Sequence, residues 1–128
     1  MMRKYEAKEL EAIEGARNFL NSYRTCRELL GLHRYERKRA EREAFSPDET
    51  LLAGDEAFWR ARIYAIGGLL SKMKNGREKL MLYYHFIKGD SVERIAVRLG
   101  VSRRTGFRIM SRGLLEFSDF LEEMKKTI

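Results

Sequence analysis

Residues 92–113 read VERIAVRLGVSRRTGFRIMSRG. The stretch holds six arginines (Arg94, Arg98, Arg103, Arg104, Arg108 and Arg112), and after Glu93 no carboxylate follows until Glu116. Leu99-Gly100-Val101-Ser102 breaks it in the middle. Before the break, Val92, Ile95, Ala96 and Leu99 recur at the spacing of one helix face; after it, Gly106, Ile109, Met110, Gly113 and Phe117 do the same. Two short helices joined by a tight, glycine-containing turn make a helix-turn-helix. The details agree. Ala96 is small where the second helix must cross, Gly100 supplies a left-handed residue for the turn, and Ile95, Leu99, Val101 and Ile109 fill the packing positions. Ser102 is placed to cap the second helix, and Asp90 or Ser91 the first, with Glu93 completing a capping-box pattern from Asp90.

Once those side chains turn inward, Arg103, Arg104, Phe107, Arg108 and Ser111 are left pointing outward, the face that a recognition helix presents to a DNA major groove. An α-helix fits that groove, its N-terminus carries free N–H groups and a positive dipole, and the arginine fork can hold O6 and N7 of guanine together. Arg103, Arg104 and Arg108 are therefore the candidates for base edges. Phe107 is suited to a thymine methyl group or a sugar, and Ser111 extends the same face. Ser91, Arg94, Ser102 and Arg112 are candidates for phosphate contacts.

Composition supports this direction. The chain has 128 residues, a formal charge of +7 and 44% hydrophobic residues, enough for one ordinary domain or a small core with a helical appendage. The excess charge is local, because residues 1–44 mix both signs while 94–115 carry only cations. One proline and few β-branched runs make an all-α fold the expectation. Cys26 has no second cysteine to pair with, and neither His33 nor His85 has partners at metal-ligand or catalytic-set spacing, so no metal, cofactor or enzymatic activity is expected. No apolar stretch resembles a signal peptide or membrane span, which points to the cytoplasm and away from a membrane.

Outside the helix-turn-helix, the spacing of Ala12, Ala16, Phe19, Tyr23, Cys26, Leu30 and His33 predicts a long amphipathic helix from Tyr5. Gly31 is a candidate stop, yet the following residues are helix-prone and pair opposite charges, as Glu36 with Arg39, so one helix or two both fit. Residues 1–44 are expected to form a coiled-coil or oligomerisation segment, with dimers favoured because the apolar stripe is too wide to leave in water. Ser46-Pro47-Asp48-Glu49 is a helix-start signal, placing a linker near 44–47 and a multi-helix DNA-binding domain over 47–128. The next helix carries Phe58, Trp59, Arg62, Ile63, Ile66, Leu69, Leu70 and Met73 and is expected to end at Asn75-Gly76. Gly67 and Gly68 inside it mark either a kink or a close helix contact. Leu80, Tyr83, Tyr84 and Ile87 predict one packed side of a further helix closed by Gly89, and Phe58, Trp59, Tyr64, Tyr83, Tyr84 and Phe86 are expected in the core.

From Lys79 to Phe117 the chain resembles region four of the bacterial sigma factors. Their pattern (S/T)xxEIAxxLGVSxxTVxRxxxRAL is approximated by DSVERIAVRLGVSRRTGFRIMSRGLL. Together with the long charged helix before it, the whole chain resembles the small phage transcriptional activators related to ArpU and RinA, which act on late genes. The resemblance implies a sequence-specific regulator binding double-stranded DNA through residues 102–117, with Arg103, Arg104 and Arg108 where sigma-like recognition helices touch the promoter. RNA polymerase is the further partner it suggests. Gly106 and Gly113 depart from the family pattern of Val or Ile and Ala; an aromatic from Tyr83, Tyr84 or Phe86 is expected to fill the space. Two other readings share these features: a small terminase-like DNA-packaging subunit, and a polymerase-contacting protein with weak DNA contact.

Overall fold

The computed structural model of the chain describes residues 4–43 and 49–127. Among them it is all-α, with no strand: α1 (Ala7–Glu43), α2 (Glu49–Lys72), α3 (Arg77–Leu82) running into a π-helical turn (Tyr83–Ile87), α4 (Val92–Leu99) and α5 (Arg103–Thr127). The expected helix start at Ser46-Pro47 and the linker at 44–47 lie outside the described residues.

α1 is one helix. Gly31 sits inside it, exposed and with open space where a Cβ would stand. A single interior glycine costs about 1 kcal/mol, too little to break a helix held along its length by neighbours. α1 buries Ile13, Ala16 and Leu20 on one side of its first half and Cys26 and Ala40 on nearly the opposite side further along, whereas Ala12, Phe19, Tyr23, Leu30 and His33 are half-buried. The expected stripe is thus displaced towards Ile13 and Leu20, because α1 packs on both α2 and α5. One apolar cluster joins Ile13, Ala16 and Leu20 of α1 to Ile66 and Leu70 of α2, Met81 and Leu82 of α3, and Ile109, Leu114 and Phe117 of α5. The apolar stripe that suggested a dimer is covered within the chain, so stripe width gives no reason to expect one.

Further along α1, contacts to α2 turn polar and aromatic. Arg37 Nε donates to Glu56 Oε1 at 2.8 Å, His33 meets the Trp59 ring edge-on at 4.6 Å, and Arg62 stacks over Phe19 at 4.4 Å while donating to Ser22 Oγ. The Arg37 hydrogen bond and charge hold the Glu56 carboxyl below its ordinary value, with Arg60 and His33 adding to the effect against the opposing influence of burial.

Several expectations for α2 and α3 are corrected. Gly67 and Gly68 mark no close helix contact, since nothing lies within 4 Å of a Cβ at either site, and α2 continues through both. Of the expected core aromatics, Phe86 is buried and Trp59 and Tyr84 are half-buried, but Phe58 is 60% and Tyr64 84% exposed. Tyr64 sits on the side of α2 turned away from Ile66, Leu69 and Met73, whereas Phe58 lies on their side two turns earlier, with the Arg62 guanidinium over its ring at 5.6 Å. Asn75-Gly76 does not make a left-handed helix end: α2 finishes at Lys72, and Gly76 is extended (φ −177°) as the residue preceding α3. The packed side of α3 and its π turn is Met81, Leu82 and Phe86, not Leu80 and Tyr83, which border an open groove of about 290 Å³ with Leu70 and Lys79. Residues 80–87 are apolar almost all round, so spacing alone fits more than one face. The π turn ends with Lys88 N–H donating to Tyr83 O and Asp90 N–H to Tyr84 O, around Gly89 at φ 83°. Gly89 closes the segment as expected.

Candidate nucleic-acid interface

The helix-turn-helix forms as its sequence predicts. Ser91 caps α4, its hydroxyl accepting from Arg94 N–H at 3.2 Å. Asp90 is not the cap and Glu93 closes no capping box; both carboxylates serve arginines instead. Gly100 takes the left-handed conformation (φ 70°, ψ 30°), and Val101 N–H returns to Ala96 O at 3.0 Å. Ser102 begins α5, accepting from Thr105 N–H at 3.1 Å and donating to Thr105 Oγ1 at 3.0 Å.

Where the helices cross, a Cβ on Gly106 would stand 2.9 Å from Ala96 Cβ and 3.5 Å from Val92 Cγ1. A Cβ on Gly113 would stand 3.0 Å from the Glu78 carbonyl and 3.3 Å from Leu82 Cγ. The space at both glycines is therefore taken by α4 and α3 themselves, not by an aromatic from the Tyr83–Ile87 turn. These close approaches seat α5, burying Ile109, Met110, Leu114 and Phe117 beneath it.

On the opposite side, the candidate base readers share one face but differ in engagement. Arg104 is exposed and has no hydrogen bond or ion pair among the described residues. Arg108, one turn later, is half-buried; its Nε is sealed from solvent without an acceptor, and no carboxylate pairs with it among the described residues. Phe107 is 44% exposed, large for an apolar ring with nothing over it but the Arg103 guanidinium at 5.6 Å. Arg103 also donates to Glu93 Oε1 at 3.2 Å, and Ser111 is half-buried at the end of the face. Neither Glu116 nor Asp119 holds any of these arginines; Glu116 accepts from Lys74 N–H instead.

The phosphate candidates are less uniform. Ser91 and Arg94 stand together at the start of α4, with Arg94 71% exposed and only 3.9 Å from Asp90. Ser102 is exposed, but its hydroxyl proton is directed to Thr105. Arg112 points to the other flank, 3.7 Å from Glu78 of α3, away from Ser91 and Arg94. Arg98 is drawn to Asp90 at 3.0 Å and lies over Tyr84. The exposed pairs Arg103–Glu93 and Arg112–Glu78 are worth at most about 1 kcal/mol each, so a stronger anion can take either guanidinium. Sequence reasoning missed one neighbour: the Arg24 guanidinium of α1 lies against Gly89, its Nη2 3.3 Å from where a Cβ would stand, just ahead of the Ser91 cap.

Among the described residues no three His, Cys, Asp or Glu side chains gather to hold a metal ion, and no helix is long and apolar enough to cross a membrane. No protein-family model, curated protein or solved structure matches the chain.

Proposed function

We propose that the chain is a sequence-specific transcriptional regulator of phage or prophage type that binds double-stranded DNA in the cytoplasm, with α5 in the major groove and no catalytic step. The observation that carries this reading is the open face of α5. In a chain where most described arginines of the helix-turn-helix have an acidic neighbour, Arg104 and Arg108 have none, and they sit one turn apart beside an exposed phenylalanine. Guanidinium groups left without internal acceptors at the N-terminal half of a recognition helix are placed to hydrogen-bond base edges. Ser91 and Arg94 at the start of α4 are placed for the adjoining phosphates.

Selection of bound oligonucleotides followed by mobility shift tests the reading. Arg104→Ala and Arg108→Ala should each weaken binding by about 1–3 kcal/mol and relax preference at one base pair. A double variant that binds the selected site as the parent does would overturn it.

A further inference from the structure

Five cations of α1, Arg24, Arg27, Arg34, Lys38 and Arg42, are all exposed. At about 100° per residue they fall within about 80° of one another around the helix, continuing the line on which the first half of α1 buries Ile13, Ala16 and Leu20, and turned away from buried Cys26 and Ala40 further along. The other arginines of α1 are matched with carboxylates: Arg17 with Glu14, Arg39 with Glu36, Arg37 with Glu56. The cations of this stripe are not. Arg27 donates to the Tyr23 hydroxyl and lies over its ring, Arg24 lies against Gly89, and Arg34, Lys38 and Arg42 have no hydrogen bond or ion pair among the described residues. Glu28 and Glu41 flank the stripe and pair with none of its cations.

The stripe is also continuous with the helix-turn-helix. Arg24 rests on Gly89, two residues before the Ser91 cap and five before Arg94, so positive charge passes from the start of α4 onto α1 and outward along it. We infer that this side of α1 is a second contact to duplex DNA, gripping the phosphates that flank the site under α5; the inference rests on the DNA-binding reading above. From Arg24 to Arg42 the helix rises about 27 Å, the length of about 8 base pairs. Arg34, Lys38 and Arg42 follow one another at steps of about 6 Å, close to two phosphates of one strand at about 3.4 Å each. Contacts of this type add affinity and orientation but read no bases.

The test uses the full chain on duplexes of 14 and 30 base pairs carrying the selected site, titrated across a salt series. Replacing Arg34, Lys38 and Arg42 together by alanine removes three exposed side chains from a helix interior, and circular dichroism checks that the fold is kept. On the 30-base-pair duplex, affinity at low salt should fall at least about tenfold and the salt slope should shrink by up to about 2.7, at about 0.9 per phosphate released. On the 14-base-pair duplex both should stay as in the parent. The charge-keeping variant Arg34→Lys with Arg42→Lys should bind the long duplex as the parent does.

Parental affinity and slope for the triple variant on 30 base pairs, or an equal loss on both lengths, overturns the inference. If at the same time Arg104→Ala with Arg108→Ala still weakens binding, the recognition reading survives. If that pair has no effect while the triple variant loses the long duplex, the α1 contact stands and the recognition helix falls. Failure of the parent to bind either duplex overturns both, and capture of an acidic polypeptide by the same three cations would then be the finding.

Discussion

Gly106 shows how closely single residues set this fold. Alanine there would bring two methyl carbons to 2.9 Å, against a helix-propensity gain of up to about 1 kcal/mol and an overpacking cost of about 1–3 kcal/mol. The sum is destabilising, so Gly106→Ala should lower the urea midpoint, and adding Ala96→Gly should recover part of the loss. Gly68 is the control. It is exposed inside α2 with open space where a Cβ would stand, so Gly68→Ala should raise stability by about 0.5–1 kcal/mol. Gly100 differs from both: at φ 70° any side chain is strained whatever the space.

At the scale of elements, α1 and α2 are joined beyond the apolar core by Arg37 and Glu56. Folding makes the Glu56 carboxyl a stronger acid, chiefly through the Arg37 hydrogen bond, so the folded chain holds that proton less tightly than the unfolded one. The contribution is complete above the ordinary value of 4.5 and drains away as pH falls through the lower folded value. Glu56→Gln should therefore be less stable than the parent at pH 7, and the two urea midpoints should draw together as pH falls below 4.5 and through the lower folded value. Elements of this chain were legible in sequence where the deciding interactions are local. The Gly100 turn, the Ser102 cap and the outward set Arg104, Phe107 and Arg108 follow from spacing within a dozen residues. The carboxylates that engage Arg103 and Arg112 were not legible, because Glu93 and Glu78 meet them only once α4 and α3 have packed on α5. Nor was the packed side of residues 80–87, where apolar residues surround the helix and tertiary contacts choose among them.

For the molecule as a whole, α1 supplies Ile13, Ala16 and Leu20 to the same cluster that supports α5. Phe117, Ile66 and Leu114 would lose cover without it. A chain beginning at residue 45 should show a broad, weakly cooperative thermal transition and lose most of its DNA affinity, measured by circular dichroism and mobility shift. Leu20→Ala is the milder form of the experiment: a fully buried leucine shared by α1 and its neighbours should cost about 2–5 kcal/mol while leaving the transition cooperative.

The π-helical turn at Tyr83–Ile87 has an evolutionary corollary. Such a turn carries one residue more than the α-helix it interrupts, and a helix advances about 100° for every residue. Because the wider turn takes up that residue within one revolution, deleting a position there would tidy the winding into an ordinary helix while leaving Gly89, α4 and α5 close to their present phase. Lineages of this chain should accordingly bear the loss of one residue in that turn better than a deletion within α4 or α5, provided Phe86 keeps its place in the core.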